Sequence, residues 1–254
     1  MSPAESEERT LREALGVALG QALLPIRDST GAGGVLFSAG VDSSLLAWEL
    51  RQRPTLLLCT LGRAGAPDLL AGRAAAERLG LPWEGLLIGE QELGEVEARF
   101  AGELEGLPDV TRTVLLALAL AIDRAGPTTL VCGQGVDELF LGYAHYRGLS
   151  ANEAERRSLE DLERLHRTDW PRTLRIAEKA GKSLVAPYLS GDFERCALQV
   201  PIDRRLPRDL PKRFLREWAL ERGLPAKLAY RPKKALQYGT GVSALIRARR
   251  RAVR

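Results

Sequence analysis

A chain of 254 residues with 45% hydrophobic side chains can build one large domain, or one domain with a helical extension, around a full core. Its longest nearly unbroken apolar run, Val114 to Ile122, is far short of a bilayer span, and its acidic start, Met1 to Glu8, is no secretory signal. The net charge of +4 hides an asymmetry: residues 204–254 carry +13 and the remainder −9, so the basic end suits a polyanion such as nucleotide, pyrophosphate or RNA, or is a solvated tail.

In chain order, residues 6–28 read as a first helix with Leu11, Leu15, Leu19 and Leu23 on one face. Gly34–Phe37 is a short buried strand, followed by a small-residue turn and a helix from Asp42 to Gln52. A second strand, Thr55–Thr60, leads through a glycine loop to a helix that Asp68 caps. Trp83–Ile88 is a third strand, residues 90–102 a helix, and Asp109–Arg124 a strongly apolar helix. Thr128–Cys132 is a fourth strand. Beyond Ser150 the pattern is mostly helical: 152–167, 169–180, 192–199, 211–222 and 241–251. Strands alternating with helices predict an α/β fold, a parallel sheet covered on both faces, with ligands at the carboxyl ends of the strands. Cys59, Cys132 and Cys196 are odd in number, far apart and in apolar surroundings, which speaks against disulfides and zinc and for a cytoplasmic protein.

Two stretches carry chemistry. Ser38-Ala39-Gly40-Val41-Asp42-Ser43-Ser44 places free N–H groups and three hydroxyls at a helix start, a ready anion cradle. Asp42 would repel phosphate there unless it holds Mg2+ that bridges the two. No Gly-Lys-Ser/Thr follows, so it is not a Walker A loop. Gly133-Gln134-Gly135-Val136-Asp137-Glu138-Leu139-Phe140-Leu141-Gly142-Tyr143 repeats the logic, with Asp137 a second metal-seeking carboxylate. Taken singly, each stretch also reads as a capped helix after a buried strand.

Together they bring a family into view. The first resembles the pyrophosphate-binding loop, S-G-G-x-D-S-S, of the N-type ATP pyrophosphatases, which include asparagine synthetase, β-lactam synthetase and NAD synthetase; Ala39 replaces the first glycine. The second resembles the asparagine synthetase motif G-E-G-x-D-E-L-F-x-G-Y. Pro187-Tyr188-Leu189, the stretch Lys212 to Arg216, Leu224-Pro225 and Tyr230-Arg231-Pro232-Lys233-Lys234 resemble that family's later segments. The resemblance implies a doubly wound, five-stranded parallel sheet of Rossmann-like type with a helical C-terminal lobe. By residue number it implies an N-terminal helix at 1–30, an ATP-binding core at 31–149 and a lobe completing the site at 150–254. It implies ATP beside Leu36 and Leu61, AMP near Cys132 and Gly133, pyrophosphate on Ser38, Gly40, Ser43 and Ser44, and Mg2+ on Asp42 and Asp137. Lys233 matches the lysine that stabilises the adenylated intermediate, and Arg231 and Lys234 assist or are structural.

The implied activity is an AMP-forming amidoligase: ATP adenylates an aspartate-like carboxylate, and ammonia from solution or a separate glutaminase displaces AMP. Departures fall on the acceptor side. No cysteine precedes Cys59, so the family's glutaminase nucleophile is missing. Gln134 replaces a glutamate of the amination step; it can orient a nucleophile but cannot act as a base. Ser190 replaces an aspartate, and Gly181-Lys182-Ser183-Leu184-Val185 lacks the usual glutamate and arginine. Two alternatives follow: adenylation of another acceptor such as a tRNA base, favoured by the basic end, or a nucleotide-binding regulatory protein without chemistry. His145 and His166 lack metal-like spacing, and Tyr143 and Tyr146 read as core residues that border the site at most.

Overall fold

The computed structural model describes residues 3–206, 209–232 and 235–252. Five strands form one parallel sheet: β1 (Gly33–Leu36), β2 (Leu56–Gly62), β3 (Trp83–Leu87), β4 (Thr129–Val131) and β5 (Ser183–Val185), in the order β3-β2-β1-β4-β5. Gly33 lies opposite Leu56 on one side and Thr129 on the other, while Thr129 faces Ser183. The ten longer helices are α1 (Pro3–Ala22), α2 (Val41–Glu49), α3 (Pro67–Leu79), α4 (Glu90–Arg99), α5 (Asp109–Arg124), α6 (Ala151–Arg164), α7 (Trp170–Lys179), α8 (Gly191–Leu198), α9 (Arg213–Glu221) and α10 (Val242–Ala252).

Alternation along each strand divides the core in two. Val35 and Phe37, Leu56 and Leu58, and Val131 point into one apolar layer with α1, α2, α8 and α9. Leu36, Cys59, Leu61, Leu130 and Cys132 point into the other, against α4, α5, α7 and Val242 of α10. Both faces are buried, which is why the strands read as unbroken apolar runs and not as alternating ones.

The order places β1 between β2 and β4. The chain winds outward from β1 to β3, then returns through α5 to build β4 and β5 on the other side. The loops after β1 and β4 therefore diverge at a topological switch point, where open α/β sheets form their binding crevice.

Several expectations need correction. β5 lies inside the stretch read as helical: at three residues it is too short for periodicity to register, and only its pairing with β4 defines it. Asp68 does not cap its helix; Ala66 is the cap, Pro67 opens the helix, and Asp68 is buried in its first turn. The helices read at 152–167 and 169–180 are α6 and α7, joined through a π-helical turn, Leu165–Asp169. Part of the basic end is paired within the molecule. Arg204 meets Glu8 and Glu217, Arg213 meets Glu217, Arg222 forks onto Glu49, and Arg249 and Arg250 meet Glu97 and Asp109. Exposed pairs of this kind add little stability, but they join the positive end to the negative remainder. Among the described residues no helix is long and apolar enough to cross a membrane.

Candidate active site

The loop Ser38-Ala39-Gly40 leaves β1 and enters α2 with Gly40 as its cap. The Ser38 N–H donates to Ser43 Oγ at 3.2 Å, the two hydroxyl oxygens lie 3.2 Å apart, and the Ser43 hydroxyl reaches Gly40 O at 3.4 Å. Ser44 Oγ is buried without a partner among the described residues. Ala39 sits at φ 54°, the left-handed conformation that explains why glycine is usual there. Arg231 answers that turn from the far end of the chain: its Nη1 donates to Ser38 O at 3.2 Å and to Ala39 O at 3.1 Å. Both carbonyls are thereby held on the side of the guanidinium.

On β4's side, Gly135 adopts φ 92° and starts the short helix Val136–Leu139, which brings Asp137 toward α2. The two carboxylates meet on a residue to which the sequence reading assigned no role. Lys212 Nζ lies 2.7 Å from Asp42 Oδ2 and 2.7 Å from Asp137 Oδ1. Lys212 is 7% exposed, at φ 58° just before α9, and Phe214 of α9 stacks on Phe140 of the second motif with ring centroids 5.9 Å apart. Burial works against the ammonium's charge, but Asp137 and Asp42 together outweigh it and raise its pKa above the ordinary lysine value. Gly142 is what admits this contact: a Cβ there would collide with Asp137 Oδ1 and the Lys212 side chain.

A second unforeseen residue, Arg216, ties the two ends of this arrangement together. Its Nε donates to Pro211 O at 2.8 Å, beside Lys212, while Nη1 donates to Ala229 O and, at 3.4 Å, to Arg231 O. Arg216 is 7% exposed, and its burial lowers its pKa. The sequence signal for both was the Lys212 to Arg216 stretch, which Lys212 opens and Arg216 closes, without a role attached to either.

Leu36, Leu61 and Cys132, at the carboxyl ends of β1, β2 and β4, belong to one apolar layer. A Cβ added at Gly133 would press on Asp42 Cβ. Gln134 Oε1 is buried with no partner among the described residues. Lys233 and Lys234 lie outside the described residues. Tyr188 OH donates to Asp42 O at 2.9 Å, which links the Pro187-Tyr188-Leu189 segment to the first loop. Ser190 caps α8, accepting from the Phe193 N–H at 3.4 Å, and Val185 packs into the apolar layer of β1.

Of the two tyrosines read as core, Tyr146 is fully buried but Tyr143 is 37% exposed. Tyr143 OH donates to Glu138 Oε1 at 2.8 Å, and burial, with Asp137 beside it, pushes Glu138 up to about 7. His145 pairs with Asp161 at 2.8 Å and His166 with Glu194 at 2.7 Å, ordinary structural partners for both. Burial pushes the Cys59 and Cys132 thiols up to about 12, whereas Cys196 is only partly buried. An Ellman titration of the native protein at neutral pH is therefore expected to read Cys196 first, with the other two appearing only in denaturant. Equal rates for all three would contradict the packing described here.

Among the described residues no group of three or more His, Cys, Asp or Glu side chains could hold a metal ion by itself. Two carboxylates are nonetheless the donor set Mg2+ uses when phosphate oxygens and water complete its shell. Asp42 Oδ1 is buried without a hydrogen-bond partner, and both carboxylates already converge on one cation, so the residues present fit that ion.

Comparison with known proteins agrees with this geometry. The model of the asparagine synthase family matches residues 28–185 and, in an overlapping segment, 147–254. A rat protein named asparagine synthetase (glutamine-hydrolyzing) is 32% identical over 222 residues, covering 81% of this chain and 39% of the relative. The cattle protein of the same name is 31% identical over 220 residues with the same two shares. A Methanocaldococcus jannaschii protein provisionally given that name is 27% identical over 252 residues, 84% of this chain and 46% of its own. The chain thus spans less than half the length of these relatives. With a family model matching well over half of its residues, the chain belongs to the asparagine synthase family.

Proposed function

We propose that this chain binds ATP with Mg2+ and adenylates a carboxylate with release of pyrophosphate, after which an amine displaces AMP to leave an amide. The observation that carries this reading is the meeting of Asp42 and Asp137 on a single cation in the crevice between β1 and β4. Asp42 and Asp137 would hold Mg2+, which offsets charge on the phosphate oxygens and on the departing pyrophosphate. Ser38, Gly40, Ser43 and Ser44 would donate to pyrophosphate at the start of α2, whose unpaired N–H groups favour an anion. Leu36, Leu61, Cys132 and Gly133 would line the adenosine and AMP side. Lys233 is proposed as the cation that meets the adenylated intermediate.

Arg231 is better read as a positioning residue than as a catalytic one, since its Nη1 is engaged by Ser38 O and Ala39 O. By turning those carbonyls aside it leaves the loop's N–H groups facing the anion. Arg231→Met is expected to raise the KM for ATP roughly tenfold, the effect of losing charged hydrogen bonds that shape a loop, with kcat changed less. A collapse of kcat at unchanged KM would instead make Arg231 catalytic.

The acceptor is the open part of this reading. Ser190 is committed to a helix cap and Val185 to the core, so neither supplies the charges of the segments they replace. Aspartate is the first carboxylate to test, with ammonia drawn from solution in the cytoplasm or from a separate glutaminase. The tRNA alternative rests on the cations of the basic end other than Arg204, Arg222, Arg249 and Arg250, which pair internally. The deciding experiment is pyrophosphate release from ATP and Mg2+ with ammonium across a panel of carboxylates. Aspartate-dependent release yielding asparagine would establish the synthetase reading despite Gln134. Release with another acid alone would redirect the substrate, and ATP binding without release by any acid would favour a regulatory role.

A further inference from the structure

We propose that Lys212 is the resident cation of the nucleotide-free site, and that it makes Asp42 and Asp137 accept a divalent ion only together with a polyphosphate. The inference rests on the Mg2+–ATP reading above. Lys212 Nζ stands 2.7 Å from an oxygen of each carboxylate, at the point between them that a bridging ion would take. The ammonium is held there by packing. Its backbone is fixed at φ 58° before α9, its side chain passes over Gly142 where no Cβ would fit, and Arg216 ties the preceding carbonyl of Pro211.

Charge decides the order of events. Two carboxylates and one ammonium leave the pocket with a single net negative charge. A dication entering alone would either sit beside the buried ammonium or expel it from the two carboxylates it pairs with. Mg2+ also gives up its water reluctantly and needs several oxygen ligands, and of the oxygens of these two carboxylates only Asp42 Oδ1 is buried and unpartnered among the described residues. A nucleotide changes both terms, because its phosphates bring oxygen ligands for the metal and negative charge for the displaced ammonium. Lys212 thereby excludes free metal and couples metal entry to nucleotide entry.

Mn2+ binding followed by electron paramagnetic resonance tests this without turnover, with α,β-methylene-ATP as the nucleotide probe. The wild-type protein is expected to bind Mn2+ weakly alone and tightly with the probe. Lys212→Met, which keeps the side chain's length and removes its charge, is expected to bind Mn2+ alone roughly tenfold more tightly than wild type, having freed two carboxylates from a competing cation. Lys212→Met combined with Asp137→Asn is expected to lose that gain, which places it at this site. Tight nucleotide-free Mn2+ binding by the wild-type protein overturns the proposal, and this arm needs no variant to fold. A Lys212→Met protein with native circular dichroism and no gain also overturns it. Failure of every form to bind the probe with Mn2+ would instead sink the ATP reading, while the nucleotide-free titrations still decide the role of Lys212.

Discussion

Replacing Asp42 by alanine is expected to lower ATP-dependent pyrophosphate release by roughly 10³-fold or more, the scale on which a preorganised charge-stabilising group contributes. Asp42 is 6% exposed in the first turn of α2, and one of its oxygens is already bound to Lys212 while the other is free for a ligand. Its loss removes half of the proposed metal ligands and leaves Lys212 with Asp137 alone. Breaking a buried pair from one side costs about 3–5 kcal/mol, so a second variant must separate instability from lost chemistry. Asp42→Asn keeps the shape and a carbonyl acceptor for the Lys212 ammonium, but a neutral amide is a poor ligand for Mg2+. It is expected to recover most of the lost stability in urea denaturation and almost none of the activity. Recovery of both would mean that Asp42 serves the fold and that the metal lies elsewhere.

Gly142→Ala tests the same centre from the opposite direction, by adding one methyl group instead of removing a charge. The new Cβ would occupy the space of Asp137 Oδ1 and the Lys212 side chain, so either the carboxylate or the ammonium must move. Overpacking of a buried site costs about 1–3 kcal/mol. The catalytic loss is expected to be larger than that cost suggests, on the order of 10²-fold, because displacements near 1 Å in a positioned site have that effect. Turnover at saturating ATP and thermal unfolding measured on the same sample separate the two. Near-normal turnover in the variant would show that the Asp137 carboxylate need not stay where Gly142 allows it.

Several parts of this protein were legible from residue pattern. Four of the five strands were found because strands buried on both faces leave apolar runs, as in Thr55–Thr60 and Thr128–Cys132. Ser38 to Ser44 and Gly133 to Tyr143 announced themselves because a sharp turn near a ligand restricts residue types to small, hydroxylated or acidic ones. Ala39 shows the limit of that logic: it carries a left-handed φ without being glycine, since Arg231 holds the neighbouring carbonyls. β5 stayed hidden because a strand of three residues is defined by its neighbour and not by its own period. At the basic end, for a related reason, a count of charges does not reveal which acids lie across from Arg204, Arg222, Arg249 and Arg250.

Composition and local pattern alone determined the α/β class, the two loops at strand ends and the presence of an acid in each. Those properties are local: they depend on which residues fit a buried strand, a tight turn or a helix start, and such fits are written in consecutive positions. The order β3-β2-β1-β4-β5, the meeting of Asp42 with Asp137 and the insertion of Lys212 between them were decided only in three dimensions. Lys212 and Asp42 are 170 residues apart, and nothing in either neighbourhood specifies the other. Their contact follows from β1 and β4 being adjacent, from α9 packing against the second motif through Phe214 and Phe140, and from the missing Cβ at Gly142. A buried charge must find a partner or be lost, and only the packed chain determines which partner is within reach.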